Sequence, residues 1–165
     1  MFRNAFRKKD TLSDILALRA NLPLPPLLID LINAGEWREI DQDLLRKCLA
    51  FELDPVEPIS SHNAMLLNSG PLMPPGDVES EQFHEYRGSM SVERTLPWID
   101  IEKTLFIMCN QRIGDDCGIA LDYRTGQQTP MVIGSDWYSE SRGVIYRRVA
   151  GTFEEFAWML GLARR

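Results

Sequence analysis

Lys103-Thr104-Leu105-Phe106-Ile107-Met108-Cys109 is the stretch that decides the fold. Five apolar residues run without a break from Leu105 to Cys109. This is the pattern of a strand buried on both faces, predicted over Lys103 to Arg112. Ile113-Gly114-Asp115-Asp116 follows with turn chemistry. Cys117 to Tyr123 reads as a second strand, with Cys117, Ile119, Leu121 and Tyr123 on one face and Gly118, Ala120 and Asp122 on the other. Thr125-Gly126-Gln127-Gln128 makes the next turn. Pro130 to Gly134 is a third strand, since proline is tolerated where a strand starts. The polar segment Ser135 to Gly143 reads as a loop leading to a fourth strand, Val144 to Ala150. Short connections of this kind build an antiparallel meander.

Beyond the meander the signals are helical. Thr152 with Glu155 forms a capping box, and Phe153, Phe156, Ala157 and Leu160 recur as one apolar stripe that Gly161 ends. On the other side, Leu12, Ile15, Leu16 and Leu18 predict a short first helix, which Pro23, Pro25 and Pro26 close. Pro26 opens a second helix to Ala34, stopped by Gly35. Asp41 caps a third, carrying Leu44, Leu45, Cys48, Leu49 and Phe51. Residues 54–80, with five prolines, read as an irregular connection with one short strand near Met65. Residues 81–95 carry no clear pattern. The expectation is an α+β fold: a mainly antiparallel sheet packed against N-terminal helices and a C-terminal helix, in a single domain over 1–165 with a basic extension at 1–10.

The chain has 165 residues and a formal net charge of −6, unevenly placed. Residues 1–20 hold five basic and two acidic side chains, residues 21–102 hold fifteen acidic and five basic, and residues 103–165 hold seven acidic and eight basic. An acidic middle disfavours nucleic acid as a partner and suits a basic protein. The apolar stretches are too short to span a membrane. The basic residues Arg3, Arg7, Lys8 and Lys9 are not followed by the apolar run and cleavage site of a signal peptide. Cys48, Cys109 and Cys117 form no Cys-x-x-Cys pair, and an odd number argues against a disulfide framework. A cytoplasmic protein is expected.

The search for chemistry finds little. His62 and His84 lie in no nucleophile motif, and no Gly-x-Ser-x-Gly elbow, Walker-type loop or Gly-x-Gly-x-x-Gly run occurs. Asp115, Asp116 and Asp122 are close in sequence, as a hard cation would require, but the first two occupy a turn that favours aspartate for local backbone bonds. A non-catalytic domain with no cofactor and no metal is expected. Trp37, Trp98, Trp137 and Trp158 are core candidates, while Trp137 and Tyr138 in the polar loop also have the character of interface anchors.

Leu96-Pro97-Trp98, Leu105-Phe106-Ile107, Gly114-Asp115-Asp116, Ala120-Leu121-Asp122-Tyr123-Arg124, Pro130-Met131-Val132, Ser135-Asp136-Trp137, and Val149-Ala150 with Thr152-Phe153-Glu154-Glu155-Phe156 together resemble the SUKH superfamily. That group is named for yeast cell-wall-synthesis regulators and their bacterial relatives. The likeness covers residues 96–162, and more weakly residues 20–35, where Leu24-Pro25 leads into a helix. Where the family often has several glycines before its acidic turn, this chain has Asn110-Gln111-Arg112-Ile113. The resemblance implies an antiparallel sheet packed on helices and no shared catalytic set. It also implies a role, since many bacterial members are immunity proteins that neutralise a polymorphic toxin, often a nuclease. The expectation is therefore an immunity protein that binds a toxin domain. The alternatives are a regulatory or scaffolding adaptor and, more remotely, a metal-dependent hydrolase using Asp115, Asp116 and Asp122. For the binder, the expected contact residues are Asp115, Asp116, Asp122, Asp136, Trp137 and Tyr138.

Overall fold

A computed structural model describes residues 20–68, 103–110, 118–139 and 145–163. The first predicted helix, the segment 69–102, the Asp115–Asp116 turn, Cys117, Trp98 and His84 lie outside the described residues. Within them the fold is α+β, as the patterning requires. Its elements in chain order are α1 (Pro26–Ala34), α2 (Gln42–Cys48), β1 (Glu57–Pro58), α3 (His62–Asn68), β2 (Thr104–Cys109), β3 (Gly118–Asp122), β4 (Met131–Asp136), β5 (Ile145–Ala150) and α4 (Phe153–Met159). A single 3-10 turn, Tyr123–Thr125, follows β3. The five strands form one antiparallel sheet in sequence order.

The helices begin and end where local chemistry dictates. Pro26 opens α1, and Gly35 closes it in the left-handed region at φ 73°. A side chain would be strained there, so glycine is the residue that fits. The amides of Glu36 and Trp37 both bond back to the Leu31 carbonyl (2.9 and 3.1 Å), which turns Trp37 into the core. Asp41 caps α2 by accepting from the amides of Asp43 and Leu44. That helix ends at Cys48, earlier than its apolar residues suggest. Leu49 is already extended, so Phe51 belongs to the connection that follows. In α4 the Thr152 hydroxyl accepts from the Glu155 amide at 3.2 Å. The Glu155 carboxylate accepts from the Gly151 amide at 2.6 Å. That donor lies one residue earlier than in a standard capping box.

The strand expected near Met65 is a helix instead. Ser61 caps α3 through its hydroxyl, which accepts from the Ala64 amide, and Met65 is fully buried. The short strand lies upstream, where Glu57 pairs with Cys109 and Pro58 with Met108. It uses a bulge in β2: Phe106 pairs with Ala120 and Met108 with Ile119, skipping Ile107. The Ile107 carbonyl accepts from the Ile59 amide at 2.8 Å. The apolar run of β2 is buried from Thr104 to Met108, and every residue of β3 is buried.

The core joins the helices to the sheet. Trp37, with no exposed surface, meets the edge of Phe153 at a centroid separation of 5.6 Å. Phe153 in turn meets Phe156 at 6.5 Å. Edge-on contacts of this kind are the favoured geometry of packed aromatic rings. Tyr123 leaves the strand ladder, and its hydroxyl donates to the Pro23 carbonyl at 2.7 Å, fixing the chain that enters α1. Burial pushes that phenol far up from its ordinary pKa.

Gly134 in β4 is a point of close approach. A Cβ there would lie 2.7 Å from Cζ of Phe51 and 3.0 Å from Cδ1 of Ile119. Gly134→Ala is expected to lower stability by about 1–3 kcal/mol through overpacking. Urea unfolding would show this as a lower midpoint at unchanged slope.

Candidate functional site

β4 is longer than expected. It runs through Asp136, so Ser135 and Asp136 are buried sheet residues and not members of an exposed loop. Two polar residues are tolerated there because each finds partners. The Ser135 hydroxyl accepts from the Gly118 amide at 2.7 Å and donates to the Gly118 carbonyl at 3.3 Å, so the side chain itself pairs with the neighbouring strand. The Asp136 carboxylate accepts from the amides of Tyr138 and Ser139 at 3.2 and 3.0 Å, and its other oxygen accepts from Nε of Arg147 on β5. These Asx-type bonds bend the chain directly after the strand.

Burial alone would push the Asp136 carboxyl up. Hydrogen bonds from the Ser139 side chain, Arg147, and the Ser139 and Tyr138 amides outweigh burial and hold it below the ordinary aspartate value. A depressed folded-state pKa contributes stability that is present above the unfolded-state value and lost as pH falls through the folded one. Asp136→Asn is therefore expected to be less stable than the parent at pH 7, by about 1.5–3 kcal/mol for bonds to a charged group. The gap should close as pH falls below the usual aspartate range, which urea melts at pH 7 and pH 3 would show.

The turn presents Trp137 and Tyr138. Trp137 is half-buried, and its indole N–H finds no acceptor among the described residues. Tyr138 is 54% exposed, and its hydroxyl donates to Oδ2 of Asp54 at 2.8 Å. Asp54 lies on the connection from α2 to β1, which is itself fastened. Phe51 fills the notch over Gly134, Leu53 and Val56 are buried, and the Gln42 side-chain amide bonds Val56 in both directions (2.9 and 3.4 Å). Glu52 of the same connection and Glu57 at the start of β1 are exposed. Over residues 20–68 there are eight carboxylates against three basic side chains, and all eight except half-buried Asp54 are exposed.

The expected contact residues thus separate. Asp136, Trp137 and Tyr138 come together at one end of β4, with Tyr138 exposed and Asp136 beneath it. Asp122 pairs with Met131 at the other end of that strand. At roughly 3.3 Å of rise per residue, the two ends lie about 16 Å apart. The Asp122 carboxylate is fully buried. It accepts from the Arg124 amide at 3.0 Å and from the Arg124 guanidinium, through Nε and through Nη2 at 2.7 Å, in an ion pair whose basic side chain is only 7% exposed. The carboxylates of Asp122 and Asp136 are spent inside the fold and present no surface to a partner, because a charge in the sheet is stable only when it is paired there. Asp115 and Asp116 lie outside the described residues. Asp54 and Arg147 complete the arrangement and carried no sequence signal.

Among the described residues no three His, Cys, Asp or Glu side chains stand together as metal ligands would. No described helix is long and apolar enough to cross a membrane. Cys48 and Cys109 are free thiols, and burial pushes both up from the ordinary cysteine pKa, helped at Cys109 by the Glu57 charge. No family model, curated protein or solved structure matches the chain.

Proposed function

We propose that this is a non-catalytic protein-binding domain whose contact surface centres on Tyr138 and the acidic connection that carries Glu52 and Asp54. The observation that carries the reading is Tyr138: a large, exposed aromatic side chain held in one place from two sides. Asp136 fixes its backbone, and Asp54 holds its hydroxyl. An aromatic anchor already ordered in the free protein loses little side-chain entropy on binding, which is the property of interface hot spots. The excess of exposed carboxylates over residues 20–68 favours a basic partner and would speed encounter at low salt.

The SUKH resemblance gives that partner a class. On this reading the protein is a cytoplasmic immunity protein, and the partner is a toxin domain, often a basic nuclease. Asp136 then acts as a positioning residue, and Tyr138 is the contact.

The test is a calorimetric titration of the purified protein with a toxin-like domain, where one is encoded beside its gene, at 50 mM and 500 mM salt. Nanomolar affinity that weakens at high salt is expected. Tyr138→Ala should weaken it tenfold or more, the scale of a hot-spot truncation of about 2 kcal/mol. Its melting temperature should stay near the parent value, because the lost hydroxyl bond is exposed. Binding unaffected by Tyr138→Ala would move the interface elsewhere. Absence of binding would favour an adaptor with another partner.

A further inference from the structure

We draw no further inference here: the strongest candidate, the apolar surface that Ile29 on α1 and Trp158 on α4 leave exposed, has nothing in the structure to show what covers it.

Discussion

Asp122→Ala is expected to destabilise the protein by about 3–5 kcal/mol, the cost of breaking a buried ion pair by removing one partner. The penalty comes mainly from Arg124. Its side chain is 7% exposed, and the substitution would take away the carboxylate that its Nε and Nη2 contact, removing the charge-assisted bonds of a buried guanidinium. The carboxylate also accepts the Arg124 amide at the start of the 3-10 turn, so the turn that carries Tyr123 against Pro23 would loosen as well. Urea unfolding followed by tryptophan fluorescence would measure the loss directly. A second variant separates the causes. Replacing both partners by apolar residues, as in Asp122→Leu with Arg124→Met, removes both buried charges together and should recover part of the stability. An Asp122→Ala variant that melts like the parent would overturn this structural role.

Asp122 also shows where a sequence stops being legible. The Leu105–Cys109 run, the Gly35 stop, the Asp41 cap and the Thr152–Glu155 box are local signals, in which a few adjacent residues determine backbone geometry. They locate the sheet, α1, α2 and α4. Met65 misleads because a short apolar segment among prolines fits either a strand or a helix, and the local signal for the helix is the single bond that the Ala64 amide donates to the Ser61 hydroxyl. Ser135 and Asp136 mislead for a deeper reason. Polar residues after an apolar strand read as loop, yet here their partners are Gly118 and Arg147 on neighbouring strands, and pairing makes burial tolerable. The acidic character of the middle of the chain is plain from composition. The bond between Tyr138 and Asp54 joins residues 84 apart, and no periodicity or spacing announces it.

Trp37→Ala is expected to cost about 3–5 kcal/mol, since removing a buried tryptophan loses its transfer energy and leaves a cavity. Trp37 is fully buried on the edge of Phe153, in the layer that joins the turn after α1 to α4. Against a typical total of about 5–15 kcal/mol, that loss would leave a substantial unfolded fraction on warming. Trp37→Phe is the informative companion. Phenylalanine keeps the aromatic contact and drops an indole N–H that has no acceptor among the described residues. A buried donor without a partner costs about 1–3 kcal/mol, so removing it offsets part of the lost volume. The phenylalanine variant should therefore lose much less stability than the alanine variant, and less than the volume change alone would dictate. A phenylalanine loss as large as the volume change alone dictates would mean that the indole nitrogen is satisfied in solution. Because Trp37 packs on Phe153, in the core beneath the helices, on the proposed binding reading the folded fraction of either variant should keep the parent affinity. Titrations well below the melting temperature would then tell loss of the core from loss of the contact surface.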